Sequence, residues 1–525
     1  MKQQTWKAGV VMALVLAVAG SAVFAAAAPA PAKEPAPAAA GAPAKEAAKP
    51  TAPAHKELFW PELWQTFHDP TPWLHMGLDE RLRIEAGENW QTLNPADATD
   101  ARWMYERYRT RWWTKWALDE NVSFNTRLVW EFRTWQDPKT KTQFTNPNPP
   151  GSENPHVTSF NPDEALFDWF NVNVRNLGGL PLTATIGRQD IIFGVGWLVL
   201  DASPLDGSRT IGLFDAARFT YDWAEASTKI DMIYANNAPN SDRWLKPIND
   251  QDRGLMESQE QAGILYATNT SLLRPAQLEG FFIWKQDKPL DHTLTNFPYI
   301  WSEKGDLYTF GAALAGTHSD HWKYRAEGAV QTGGKVGDEP RPGSPLAVVD
   351  LGPRHDVLAF GTLDTLEYQF KDPHDNATHF TYEYASGDDP GTDRIERFDL
   401  LWGRWPRWSE LLIYTWANET RVADTSNLHR FNIGHRIQIN KQWQLTGDYH
   451  ILLADQNTGA VIPSKMHVSG DDKFRGQLFT SWLRYKFSDQ MYGHFLAEYF
   501  IPGDYYVSPS DTNAYFLRVN FEYIF

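Results

Sequence analysis

From about residue 78 onward the chain repeats one unit: a segment of about ten residues that alternates apolar and polar side chains, followed by a turn. Successive side chains of a strand point to opposite faces, so each such segment has one greasy and one wet face. The clearest case spans 104 to 135. Tyr108, Trp112, Trp116, Val122, Phe124, Leu128, Trp130 and Phe132 share one parity there, opposite Arg107, Arg109, Arg111, Lys115, Asn125, Arg127 and Arg133, across the short turn Asp119-Glu120-Asn121. The alternation returns in Lys323–Gln331, in Leu366–Lys371 and in Arg430–Ile439. A soluble sandwich alternates as well, but it buries its apolar face against a second sheet, whereas a membrane barrel leaves aromatics there for lipid to solvate. The chain carries 24 Trp, 20 Tyr and 29 Phe, more than a soluble core of this size needs and suited to interfacial girdles. These features predict an all-β, transmembrane antiparallel β-barrel.

The ends of the chain fit this reading. Lys2 and Lys7 precede an apolar stretch from Ala8 to Ala19, then Ser21-Ala22-Val23-Phe24-Ala25 supplies small residues for signal-peptide cleavage. About 12 apolar residues are too few to span a bilayer. Residues 26–57, dominated by Ala, Pro, Lys and Glu, have little to bury and read as a disordered periplasmic spacer. A Trp-rich segment over 58–76 precedes a barrel over 77–525. At the far end Tyr515, Leu517, Val519, Phe521, Tyr523 and Phe525 alternate with Arg518, Asn520 and Glu522. A terminal amphipathic strand ending in Phe525 resembles the targeting signal of bacterial outer-membrane proteins, which the assembly machinery of the outer membrane reads.

Nineteen segments qualify as strands, but single-chain bacterial barrels have an even number with both termini periplasmic. Short turns near 119, 178, 224, 271, 319 and 374 join even strands to odd ones, whereas those at Asn440-Lys441-Gln442 and Ser488-Asp489-Gln490 join odd to even. Dropping 408–417, which begins at Ser409-Glu410 and reads as a short capped helix in an outer loop, restores the order and leaves eighteen. The long connections at 136–163, 236–258, 286–304, 333–353, 386–427 and 454–473 then fall outside the cell.

A barrel of this size leaves an aqueous channel, so its inward residues decide what passes. By parity these include Arg81, Arg83, Arg107, Arg109, Arg111, Arg127, Arg133, Arg175, Arg188, Arg218, Arg325, Arg436, Arg484 and Arg518. Guanidinium groups stay charged and offer a planar donor fork to carboxylates, so this lumen should favour anionic solutes, carbohydrates among them. The plainer alternative is that they pair with Glu85, Glu131, Asp231, Glu327, Glu367, Glu383 and Glu498 simply to fill the barrel. A net charge of −16 speaks against nucleic acid as a partner, and the absence of cysteine removes disulfides, thiolate metal sites and thiol nucleophiles. Asp388, Asp389 and Asp393 form a candidate Ca²⁺ site in an outer loop, with a solvated turn as the alternative reading. No other cofactor is expected. His374 and His379 flank a predicted turn and are expected in solvent. The sequence shows no HExxH, GxSxG or P-loop spacing.

Thr185-Ile186-Gly187-Arg188-Gln189-Asp190, Asp206-Gly207-Ser208-Arg209, Phe214-Asp215-Ala216-Ala217-Arg218-Phe219, Ser386-Gly387-Asp388-Asp389 and Arg397-Phe398-Asp399 resemble segments of the alginate-export family. The resemblance covers roughly 76–525. It implies an eighteen-stranded monomeric porin with an electropositive constriction, through which an anionic polysaccharide leaves. Two rival readings are an outer-membrane enzyme and a surface-binding barrel plugged by residues 56–75.

Overall fold

The computed structural model describes residues 61–97, 101–137, 160–200, 214–237, 245, 248, 259–288, 304–336, 339–340, 348–349, 353–403, 405–420, 424–457 and 466–525. The expected signal peptide, the spacer and the Asp206–Arg209 motif lie outside them.

Eighteen strands form one antiparallel sheet. They are β1 (Leu74–Glu88), β2 (Arg102–Ala117), β3 (Val122–Asp137), β4 (Phe160–Val174), β5 (Leu182–Gln189), β6 (Phe214–Trp223), β7 (Thr228–Asn237), β8 (Gln259–Leu273) and β9 (Ala276–Lys288). There follow β10 (Lys304–His318), β11 (Trp322–Val336), β12 (Arg354–Gln369), β13 (Ala377–Ala385), β14 (Leu428–Gln438), β15 (Trp443–Leu453), β16 (Phe474–Lys486), β17 (Met491–Pro502) and β18 (Ala514–Ile524). Each strand pairs with its sequence neighbours. β1 closes on β18 from Asp79↔Ile524 to Glu88↔Tyr515, so no edge is left for the bilayer to solvate. The parity count of eighteen holds.

The alternation sorts as predicted. Trp112, Trp130, Phe431, Ile433, Phe479 and Val519 are exposed on the outer wall, where Tyr108 stacks on Phe132 with centroids 4.6 Å apart and Tyr449 meets Phe479 at 4.8 Å. Among the described residues no helix is long and apolar enough to cross a membrane; the strands do that.

Short turns gather at one end of the cylinder with both described termini. Helix α1 (Pro61–His68) lies at this mouth: Phe67 packs edge-on against Phe525 at 4.9 Å, and His68 meets Trp113 at 5.2 Å. The C-terminal residue is tied into the seam by Leu78 N–H to Phe525 O and Phe525 N–H to Leu78 O, at 2.7 and 2.6 Å.

The other end departs from expectation. The connection 386–427 was expected outside; its described residues instead fold back into the lumen and carry helix α2 (Glu410–Thr420). Segment 408–417 is therefore the predicted capped helix, but buried inside. Ser409 Oγ accepts from Leu412 N–H at 3.1 Å, the N-cap bond, and Leu411, Leu412, Thr415 and Trp416 are buried. Its apolar residues find a partner in the wall, and this decides their location.

Segment 190–200 also turns inward. β5 is short and pairs with β4 only from Phe170↔Arg188 to Val174↔Ala184, so the chain leaves the wall at Asp190. At Gly194 φ is +55° and a β-carbon would lie 2.3 Å from Arg325 Nη2, so another residue would be strained and would displace that guanidinium.

Two apolar clusters seal the inserted segments to the wall. One joins Ile191, Phe193, Trp197, Leu198, Phe398, Leu401 and Trp402 to inward residues of β6–β13. The other joins Trp405, Leu411, Leu412 and Trp416 to Trp90, Leu93 and inward residues of β2, β3 and β14–β18. The inserted body is thus made of 190–200 and 386–420, whereas the plugged-barrel reading had drawn on residues 56–75.

Candidate functional site: the lumen and its arginine wall

The charged lumen has three zones. The first is the set of bolts that seat α2. Glu498, on the wall strand β17, accepts from Ser409 Oγ at 2.5 Å and from the backbone N–H groups of Glu410 and Leu411 at 2.8 and 3.1 Å. A wall carboxylate therefore caps the positive end of the helix. Glu410 pairs with Arg518 at 2.7 Å. At the other end Glu419 pairs with Arg475 and accepts from Tyr505 and Tyr506, while Arg475 lies over the Trp416 and Tyr505 rings, each centroid 4.8 Å away.

The second zone pins residues 396–403. Asp399 lies 3.2 Å from Lys285 Nζ and 3.1 Å from Lys335 Nζ, and Trp402 Nε1 donates to Glu260 at 2.8 Å. Nearby, Arg325 forks onto Glu279 at 3.0 and 2.7 Å and also binds Glu327.

The third zone is the wall of β1–β3, at mid-height and toward the long connections. Inward positions place Arg81, Arg83, Arg107, Arg109, Arg111, Arg127 and Arg133 there, against Asp79, Glu85 and Glu131. Register stacks them in rows, Arg81 beside Arg109 and Arg83 beside Arg107, then Arg107 beside Arg133 and Arg109 beside Glu131. Glu131 accepts from Arg107 at 2.7 Å and from Arg81 at 3.1 Å. Arg83 donates to Asn520 at 2.7 Å and Arg518 to Glu85 at 2.6 Å. Arg127 lies over the Trp169 ring at 3.9 Å and binds Asp168 at 2.7 Å and Asp190 at 3.2 Å; Arg111 reaches Asp168 at 3.8 Å.

The predicted arginines thus divide. Arg188 forks onto Asp215 at 2.8 and 3.1 Å, Arg218 binds Asp231 at 2.8 Å, Arg436 contacts Asp375 at 3.2 Å and Glu367 at 3.9 Å, and Arg484 lies 4.8 Å over Trp482. Arg175 is placed differently: it is exposed in the turn after β4 and donates to Glu120 O at 3.0 Å, because the strand ends at Val174 and parity stops with it. A uniformly basic interior is not what the strands build. Among the described residues, the fully buried charged groups are eleven arginines and two lysines against thirteen carboxylates. Cross-strand pairing explains this balance; on the inward positions of β1–β3 themselves arginines outnumber carboxylates, and Asp168 and Asp190 from outside these strands pair with Arg111 and Arg127.

Parity overlooked Arg475, Lys285 and Lys335, and the partners of the last two are carboxylates on inserted or neighbouring segments. His379 points into the lumen, with Nε2 2.7 Å from Asp448, rather than into solvent; His374 stays exposed at the turn. In the candidate Ca²⁺ loop, Asp388 accepts from Glu396 N–H at 2.7 Å and Asp389 from Gly391 N–H at 2.8 Å, while Asp393 supplies its backbone carbonyl to His355. Both carboxylates serve as turn caps, and among the described residues no group of three acidic, His or Cys side chains has metal-binding geometry.

A closed eighteen-stranded cylinder with lipid-facing aromatics and a charged, partly filled lumen defines an outer-membrane porin. The chain belongs to the alginate-export family, whose model matches residues 73–519. It is similar to the crystal structure of OccAB1 from Acinetobacter baumannii, with 9% identity over 87% of this chain and 97% of that one, at a TM-score of 0.52. OccAB2 of the same organism aligns with 9% identity over 86% of this chain and 98% of that one, at a TM-score of 0.48. At such identities the likeness is one of fold. No curated protein matches the chain.

Proposed function

We propose that this porin passes anionic solutes, with acidic polysaccharides of the alginate class as the cargo its family suggests. The observation that carries the reading is the β1–β3 wall, where seven inward arginines face three inward carboxylates in a chain whose net charge is −16. A solute carboxylate gains charge-assisted, often bidentate, hydrogen bonds there, and a low-dielectric lumen strengthens them relative to bulk water. In this reading the short turns and both termini face the periplasm, the long connections face outward, and the protein works as a monomer without cofactor or catalytic residue. Phe525 serves as the recognition end for the assembly machinery.

Reversal potentials across a planar bilayer test it. The wild type should be anion-selective, and neutralising Arg109 and Arg111 together should reduce that preference with the barrel intact. Cation selectivity in the wild type would overturn the reading.

A further inference from the structure

The Gly187-Arg188-Gln189-Asp190 motif sits where β5 ends and the chain turns into the lumen. Its first three residues have local work. Gly187 takes φ +120°, with Phe170 O 2.3 Å from where a β-carbon would sit. Arg188 forks onto Asp215, and Gln189 Nε2 donates to the carbonyls of Thr185, Gly187 and Ala216. These bonds hold the strand end and its exit. Asp190 does something else: its carboxylate leaves the sheet and reaches Arg127 on β3 at 3.2 Å.

Arg127 already has a carboxylate of its own. Asp168 binds its Nε at 2.7 Å, and both groups are closed off, with side chains 4% and 9% exposed. Asp190 is the second and longer partner, and its side chain is 22% exposed. The anchors of α2 contrast with it: Glu410 with Arg518 and Glu419 with Arg475 expose no more than 7% of any side chain. A buried pair is expensive to separate because a lone charge is left behind. A partly exposed carboxylate on a guanidinium that keeps another partner can be exchanged for an incoming carboxylate at little net cost, since the donor exchanges one anion for another.

We infer that Asp190 is a resident counter-anion, occupying on Arg127 the position that a carboxylate of the solute takes during passage. This inference rests on the anion-channel reading and adds the residue that sets how tightly a polyuronate is held. Arg111, 3.8 Å from Asp168, pairs with Val129 and so stands two register positions farther from the short turn than Arg127, which pairs with Trp113; a chain of uronate units arriving from the short-turn mouth meets Arg127 and then Arg111. Asp190 competes with each unit as it arrives, and this keeps binding weak enough for release.

The test uses the full-length protein in planar bilayers, with an oligoguluronate added on the short-turn side as a blocker of small-ion current. Asp190→Asn should raise the anion-to-cation permeability ratio and lower the half-blocking concentration by about tenfold, the change that corresponds to about 1.4 kcal/mol. Asp190→Glu retains the competing charge and should block like the wild type, which separates charge from packing. Heat-modified mobility on gels reports whether each variant has folded; if Asp190→Asn does not fold, Asp190→Ser carries the same expectation. If the Asn or Ser variant folds and its half-blocking concentration equals that of the wild type, Asp190 is only a tether and the inference fails. In that case anion selectivity of the wild type, and its loss in the Arg109/Arg111 double variant, would still uphold the channel reading; a cation-selective wild type would remove both.

Discussion

The α2 anchors and the β1–β3 wall are built from the same two groups, guanidinium and carboxylate, yet one holds a segment in place and the other carries the proposed anion selectivity. At the anchors each arginine binds a helix carboxylate beside an aromatic ring: Arg475 has Glu419 with Trp416 and Tyr505, and Arg518, which also binds Glu85, has Glu410 and Phe516. On the wall one carboxylate serves several cations, as Glu131 serves Arg107 and Arg81 with Arg133 at 4.0 Å. Stoichiometry, rather than residue type, distinguishes the two regions. Buried pairs at the anchors fix geometry, while several guanidinium groups sharing one carboxylate make the wall face of the lumen locally positive.

The contrast can be attacked first at an anchor. Arg475→Met strands Glu419 in a buried site and should weaken the seating of α2 by about 3–5 kcal/mol; limited proteolysis should then cut within 405–420 while heat-modified mobility still reports a closed barrel. Unchanged protease resistance would mean that the apolar cluster alone holds the helix. A charge on the opposite face of the wall sets the scale for the bilayer: Phe431→Arg, exposed to lipid, should cost about 2–4 kcal/mol near the midplane, read as a lower denaturant midpoint for refolding into vesicles. At the wall's exit point, Gly187→Ala places a β-carbon against Phe170 O at φ +120° and should cost about 1–3 kcal/mol in the same assay. The smallest effect on stability is expected at the arginine wall, where Arg109 and Arg111 are neighbouring like charges on one face of β2 and their mutual repulsion offsets part of what their contacts contribute: Arg109→Gln with Arg111→Gln should shift the midpoint less than the substitutions above, yet change the reversal potential most. If that double variant unfolds the barrel instead, these residues belong with the anchors and the distinction between the two regions collapses.

Much of the architecture was readable before any coordinates. The period-two pattern placed Trp112, Trp130, Phe431 and Val519 on lipid and Arg107, Arg109 and Arg127 inside, because a strand offers only two faces and one of them must suit hydrocarbon. Turn lengths and an even strand count removed 408–417 from the wall, and Ser409 marked its helix start. The same rule failed at Arg175, one residue past its strand, where backbone direction no longer follows alternation. It was also silent about Arg475, Lys285 and Lys335, whose importance comes from partners such as Glu419 and Asp399 that lie on segments entering from the side.

The sequence by itself determined the closed cylinder, the number of its strands and the side on which most of the strand arginines lie, since these follow from local geometry repeated along the chain. Only the tertiary structure decided that 190–200 and 386–420 fold inward, that most lumenal arginines are matched by carboxylates, and that Asp168 and Asp190 pair with arginines of β1–β3. Those outcomes depend on contacts between residues hundreds of positions apart, such as Arg518 with Glu85, where burial and pairing are settled together by the assembled barrel.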